Sequence, residues 1–66
     1  MNVTVNGTAA DIADGWSVAD LVRDRADEQR KVAVARNGEV VPRGAWETTR
    51  LSEGDSLEIL APVAGG

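Results

Sequence analysis

Cysteine, histidine, tyrosine and phenylalanine are all absent from this chain of 66 residues. Without cysteine there is no disulfide, no thiolate nucleophile and no sulfur ligand for a metal. Without histidine the chain lacks the commonest general base near neutral pH and the commonest metal ligand. Because the sequence also shows no nucleophile–base pair and no cofactor motif, we expect a protein that is not an enzyme and binds no metal or cofactor.

Basic clusters and long apolar runs are missing as well. The net charge is −4, with acidic and basic residues mixed along the chain, which argues against nucleic acid as a partner. No apolar segment approaches membrane-spanning length, and the N-terminus shows no signal-peptide pattern. We therefore expect a cytoplasmic protein that does not bind membranes.

The N-terminal residues predict a β-hairpin. Met1, Val3 and Val5 alternate with polar residues, as in a half-buried strand. Asn6-Gly7 follows, and this pair suits a two-residue type I′ turn because both central residues of that turn need positive φ. The turn places the apolar residues of both strands on one face. The resulting register pairs Val5 with Thr8, Val3 with Ala10 and Met1 with Ile12.

One helix is predicted after this hairpin. Ser17 is suited to be its N-cap, and Asp20 stands three residues later, where a capping box places an acceptor. We expect the helix to run from Val18 to about Glu28, with its charged residues in solvent. The apolar stripe that would cover a sheet consists of Val18, Leu21, Val22 and Ala26.

Two further strands are predicted in the C-terminal half. A run rich in β-branched residues at positions 32–35 predicts one, and alternation at positions 56–60 predicts the other. Asn37-Gly38 and Gly54-Asp55 are turn signals. Val40 and Val41 are briefly extended, but Pro42 ends that segment because it donates no backbone hydrogen bond. One irregular or 3₁₀ turn is expected at positions 44–46.

The order strand–strand–helix–strand–strand indicates the α+β class. The simplest arrangement is a β-grasp, a four-stranded mixed sheet with one covering helix and with its first and last strands parallel at the centre. We expect residues 1–60 to form this domain and residues 61–66 to form a flexible C-terminal tail.

The tail is the candidate functional site because no side chain offers an obvious reacting group. Gly65 and Gly66 have no Cβ, so an enzyme channel can close tightly around them. Pro62 limits backbone freedom at the base of the tail. Gly66 would then supply a reactive carboxylate, and Gly65, Ala64, Val63 and Pro62 would thread into a partner. The simple alternative is a frayed terminus without a role.

These features resemble the ubiquitin-like sulfur carriers of cofactor biosynthesis, and within them the ThiS family, which carries sulfur for the thiazole ring of thiamin. The resemblance covers essentially the whole chain. It is most specific at Val41-Pro42-Arg43 followed by Trp46, and the turn at Gly54-Asp55 and the Val63-x-Gly-Gly ending also match.

The resemblance implies a mechanism and three partners. A ThiF-like adenylyltransferase would use ATP to convert the carboxylate of Gly66 to an acyl-adenylate. A sulfur-donating protein would then provide the sulfur of a thiocarboxylate. A ThiG-like thiazole synthase would consume it. Sulfur carried on the backbone terminus also explains how a protein without cysteine could be a sulfur carrier.

Several side chains have two interpretations at this stage. Leu57, Ile59 and Val63 are candidates for a partner-facing patch, although Leu57 and Ile59 would fit the core equally well. Trp46 is expected to anchor the core. Arg43 could contact the activating enzyme, but a surface ion pair or a carbonyl contact is the favoured interpretation.

Other functions stay open from the sequence. The same carrier chemistry could serve molybdopterin, cysteine, thionucleoside or secondary-metabolite synthesis. A protein modifier joined through Gly66 to target lysines is a different class, although the single Lys31 favours a carrier slightly. A structural β-grasp module that binds a partner through its sheet would not need the two terminal glycines.

Overall fold

Five strands form one mixed sheet with a single helix against it in the computed structural model, which describes residues 1–25 and 32–60. The sheet order is β2-β1-β5-β3-β4, with β1 and β5 parallel and the other neighbours antiparallel. The predicted β-grasp arrangement, with the first and last strands parallel at the centre, is confirmed. In chain order the elements are β1 (Asn2–Val5), β2 (Thr8–Asp11), α1 (Val18–Arg25), β3 (Ala33–Arg36), β4 (Glu39–Val41), a 3₁₀ turn (Arg43–Ala45) and β5 (Ser56–Leu60).

The first hairpin has the predicted register. Asn6 and Gly7 have φ values of 52° and 82°, as a type I′ turn requires. Val3 pairs with Ala10 and Val5 with Thr8. The Ile12 amide also donates to the Met1 carbonyl at 2.8 Å, which extends the same register by one pair. The hairpin therefore follows from its turn chemistry and its alternation.

The helix begins with the predicted capping box. The Ser17 hydroxyl accepts from the Asp20 amide at 3.2 Å, and the Asp20 carboxylate accepts from the Ser17 amide at 2.9 Å. Val18, Leu21 and Val22 are fully buried, so the predicted stripe faces the sheet. The predicted positions of Ala26 and of the helix end lie outside the described residues.

The prediction of four strands was wrong, because β4 is a fifth strand. Asn37 and Gly38 form a second turn with φ values of 51° and 86°. This turn folds the chain back so that Val41 pairs with Val34 and Val40 with Ala35. The segment lies at the sheet edge and Pro42 lies beyond its last residue, so the proline does not interrupt the ladder.

The core lies between the sheet and the helix and is closed by the loop that contains Trp46. The Trp46 carbonyl accepts from the Ala19 amide at 3.1 Å, and the Leu51 amide donates to the Trp16 carbonyl at 2.9 Å. These bonds hold the loop against the start of the helix. The buried apolar side chains are Val3, Val5, Ile12, Val18, Ala19, Leu21, Val22, Val34, Trp46, Leu51 and Leu57. No helix in the described part of the chain has the length and apolarity needed to cross a membrane.

Candidate functional site at the end of the central strand

The central strand β5 leads directly to the predicted tail. It ends at Leu60, the last residue before the segment that carries the two terminal glycines. The predicted site residues Pro62, Val63, Ala64, Gly65 and Gly66 all lie outside the described residues, so their roles stay predictions. The structure describes β5 and the residues that bond to it. We call this part of the molecule the platform, because the tail segment continues from it.

One side of this platform is formed by Asn6. The Asn6 backbone amide donates to the Leu57 carbonyl at 2.9 Å. Its side-chain oxygen accepts from the Ile59 amide at 2.9 Å, and its side-chain nitrogen donates to the Ile59 carbonyl at 3.2 Å. Asn6 is thus bonded to Leu57 and Ile59, the alternate residues of β5 whose backbone groups face β1. Its role beyond the turn was missed, because only the hairpin signal was read from the sequence.

The start of β5 is held by the buried carboxylate of Asp55. It accepts hydrogen bonds from the Ser52 amide at 2.7 Å, from Arg36 Nε at 2.8 Å and from Asn37 Nδ2 at 3.1 Å. Burial alone would raise the pKa of Asp55, but these donors and the positive charge of Arg36 outweigh it, so the pKa lies below its usual value. Asp55 is therefore a charged residue that links the start of β5 to Ser52, Arg36 and Asn37. The sequence indicated only a turn there.

The face of the sheet away from the helix carries an exposed surface, the outer patch, formed by the apolar residues Ala33, Ala35, Val40 and Leu60, with the exposed Glu58 beside Ala35. The register places Ala35 beside Val40 and Ala33 beside Leu60. Val40 is 75% exposed and Leu60 is 60% exposed. One large apolar side chain, Leu60, is thus displayed at the end of β5, and a second, Val40, lies two strands away on β4.

The structure decides between the two interpretations of Leu57 and Ile59. Leu57 is fully buried and Ile59 packs partly buried against the core, so these two residues belong to the helix-facing side. Val63, the third predicted member, lies outside the described residues. Alternation had identified the strand, but it could not show which set of side chains faced the helix.

Trp46 and Arg43 lie beside β4. Trp46 is buried, which confirms its expected role as a core anchor, and its indole nitrogen donates to the Val41 carbonyl at 2.9 Å. The guanidinium carbon of Arg43 lies 4.6 Å from the centroid of the Trp46 ring, a distance typical of a cation–π contact. Arg43 thus contacts an aromatic ring, an interaction that the sequence interpretation did not include.

A polar cleft lies at the start of the helix, lined by Gly15, Ser17, Asp20, Arg23, Glu47 and Arg50. Asp20 accepts from Arg23 at 2.8 Å, and Arg50 donates to the Gly15 carbonyl at 3.0 Å. Hydrogen bonds from Ser17 and then from Arg23 lower the pKa of Asp20. The cleft is therefore built from capping and loop contacts. Within residues 1–25 and 32–60, no group of three acidic side chains is placed to hold a metal ion.

Known proteins share both this sequence and this fold. The ThiS family model matches residues 3–66. The chain is 30% identical to the sulfur carrier protein ThiS of Escherichia coli over the full length of both proteins. It is 35% identical over its 66 residues to a thiazole synthase of Paramagnetospirillum magneticum, of which it spans 20% of the length.

Two solved structures from Geobacter metallireducens are also similar. A crystal structure of its thiamine biosynthesis protein ThiS matches with a TM-score of 0.86 and 35% identity over the whole of both chains. An NMR structure of a thiamine biosynthesis protein from that organism matches with a TM-score of 0.82 and 38% identity, covering all of this chain and 88% of the other. Family model, full-length relative and fold agree, and the chain belongs to the ThiS family.

Proposed function

We propose that this protein is a sulfur carrier in thiamin biosynthesis and that the carboxylate of Gly66 carries the sulfur. The observation that supports this most strongly is the family match, which extends through residue 66 and therefore includes the two terminal glycines. The full-length relative in Escherichia coli is named a sulfur carrier. The cytoplasm is the expected compartment, because the proposed activation consumes ATP.

The proposed chemistry proceeds in two steps. A carboxylate oxygen of Gly66 attacks the α-phosphorus of ATP, and pyrophosphate leaves. A hydrosulfide equivalent from the sulfur donor then attacks the acyl carbon, so that a C–S bond forms as the C–O bond to AMP breaks. The products are a thiocarboxylate, AMP and a proton. Both steps take place in the active site of a partner adenylyltransferase, and this chain supplies the acyl group.

The tail supports this proposal through its composition. Gly65 and Gly66 present bare backbone, which fits a narrow channel that leads to a nucleotide site. Pro62 reduces the conformational freedom that is lost when the tail is threaded. Thiazole synthase is the proposed acceptor, since one relative of greater length carries that name.

The outer patch is the proposed docking surface for the adenylyltransferase. An enzyme that encloses the segment after Leu60 comes close to Leu60, which is 60% exposed. Ala33 and Leu60 are neighbours in the register, and Ala35 and Val40 follow in the next row. An enzyme surface laid over both rows would bury Leu60 and Val40 and would also face Glu58, which lies beside Ala35. Buried apolar anchors such as Leu60 and Val40 dominate binding energies.

The test is the intact mass of the chain after incubation with the cognate adenylyltransferase, ATP and a sulfide source. We expect one oxygen to be exchanged for sulfur, with the change located in the C-terminal peptide. A variant that lacks Gly65 and Gly66 is the matched control and should keep its mass. An unchanged mass of the full chain, with an enzyme that modifies its own carrier, would refute the proposal. Conjugates to lysines of other proteins would instead indicate a protein modifier.

A further inference from the structure

The central strand β5 extends beyond β1, its parallel neighbour. β1 pairs with β5 at Thr4 opposite Ser56 and at Val5 opposite Leu57. The chain then turns away at Asn6 and Gly7, while β5 continues to Leu60. Alternate residues of a strand direct their backbone groups to the same side. Ile59 therefore presents its amide and carbonyl toward β1 at a level that no residue of β1 reaches.

The side chain of Asn6 occupies this position. Its oxygen accepts from the Ile59 amide at 2.9 Å, and its nitrogen donates to the Ile59 carbonyl at 3.2 Å. A primary amide offers the same donor and acceptor as a peptide group. One side chain thus continues the β1–β5 ladder by one step, although the two residues are 53 positions apart in sequence.

We propose that Asn6 is a positioning residue for the activation of Gly66. By holding the backbone of Ile59, it fixes the direction in which β5 leaves the sheet, seven residues before the reacting carboxylate. A tail that starts in a fixed direction loses less conformational freedom when an enzyme threads it, and preorganisation of this kind favours the reactive geometry. The inference depends on the proposed sulfur-carrier function.

The turn itself is a second role of Asn6, and substitutions separate the two. Asn6 has a φ of 52°, which glycine tolerates at least as well. Asn6→Gly therefore keeps the turn and removes the amide. Asn6→Asp keeps an oxygen that accepts from the Ile59 amide but places a second oxygen against the Ile59 carbonyl, which opposes the contact.

Asn37 provides a matched control at the other Asn-Gly turn. It has a φ of 51°, and its side chain binds Asp55 and the Ser56 amide at the opposite end of β5. Asn37→Gly therefore removes the same amide from the same turn conformation and weakens the same strand. Its effect lies at the end of β5 that is remote from the tail.

The experiment measures three quantities for the wild type, Asn6→Gly, Asn6→Asp and Asn37→Gly. They are hydrogen exchange at the Ile59 amide, the melting temperature, and the single-turnover rate of adenylylation at saturating adenylyltransferase with ATP. We expect Ile59 exchange about tenfold faster in Asn6→Gly and adenylylation about fivefold slower, with the enzyme affinity unchanged. Asn37→Gly should lower the melting temperature but keep the wild-type rate. Asn6→Asp should resemble Asn6→Gly.

Adenylylation of Asn6→Gly at the wild-type rate would overturn the inference and leave the proposed function standing. Equal slowing in Asn6→Gly and Asn37→Gly would also overturn it, since general destabilisation of β5 would then be the cause. A wild-type chain that is not adenylylated by an enzyme active on its own carrier would refute the proposed function itself. Only this last result removes both proposals together.

Discussion

The indole nitrogen of Trp46 donates a hydrogen bond to the carbonyl oxygen of Val41 over 2.9 Å. This bond joins the end of the edge strand β4 to a side chain that is only 5% exposed. Arg43, which lies between the two in sequence, covers the ring. Trp46 therefore ties the segment after β4 to the core, together with the buried Leu51 further along the same segment.

Substitution of Trp46 should separate apolar burial from this hydrogen bond. We expect Trp46→Ala to lower the free energy of unfolding by about 3–5 kcal/mol, a large part of the stability of so small a domain. Trp46→Phe keeps an aromatic ring and loses the donor to Val41, so its loss should be about 1–2 kcal/mol. Urea unfolding followed by circular dichroism measures both. Equal losses of unfolding free energy in the two variants would contradict this separation of apolar burial from the hydrogen bond.

Asp55 should make the protein sensitive to acid. Its pKa is lowered in the folded state from an ordinary value of 3.8, so its stabilising contribution is complete above that value and is lost as the pH falls through the folded pKa. We expect the free energy of unfolding to decline below about pH 5. Asp55→Asn should be less stable at neutral pH by about 1–3 kcal/mol and should show a flatter decline.

Asp24→Asn is the control for this measurement, since it removes a carboxylate whose side chain is 51% exposed. It should leave the acid limb of the stability curve close to that of the wild type. If Asp55→Asn also retained the full decline, other carboxylates would be responsible and the role assigned to Asp55 would be wrong.

The outer patch predicts an effect on enzyme affinity. Val40→Asp places a charge in the proposed contact and should raise the KM of the adenylyltransferase for this carrier by about tenfold. Stability should change little, because Val40 is 75% exposed. Ala9→Asp is the matched control, since Ala9 is exposed on the other edge strand. Steady-state kinetics over a range of carrier concentrations measure both KM values. Equal KM values for Val40→Asp and Ala9→Asp would contradict docking at the outer patch.

Gly66→Ala should leave folding intact and impair activation. If Gly66 reacts as proposed, a methyl group there would enter the proposed channel for bare backbone, and we expect the adenylylation rate to fall by about ten- to a hundredfold. Gly44→Ala is a matched change, because a Cβ at Gly44 meets no atom within 4 Å. Thiocarboxylate formation by Gly66→Ala at the rate of Gly44→Ala would refute the threading argument.

The parts of the fold that depend on residues close together in sequence were predictable from the sequence. Asn6-Gly7 specified both the first turn and the register of its hairpin, and Ser17 with Asp20 specified the start of the helix. The second Asn-Gly turn was also recognised, but the strand after it was not. Three residues followed by a proline carry too short a pattern for alternation to be seen.

The platform for the tail was much less predictable. The contacts of Asn6 with Ile59 and of Arg36 with Asp55 join residues 53 and 19 positions apart, and no local pattern encodes such pairs. The exposure of Val40 and Leu60 depends on which side of the sheet the helix covers. Alternation gives two faces and does not identify the buried one.

The central position of β5 also constrains how the protein is made. A ribosome completes both hairpins and the helix before it synthesises the strand that joins β1 to β3. Until then the inner edges of both hairpins lack their partner, and exposed strand edges favour aggregation. Cooperative folding therefore has to wait until translation of the domain is almost finished. The strand that completes the sheet is the same strand that leads to Gly66, so a chain truncated before β5 would lack its proposed reactive end and its native fold together.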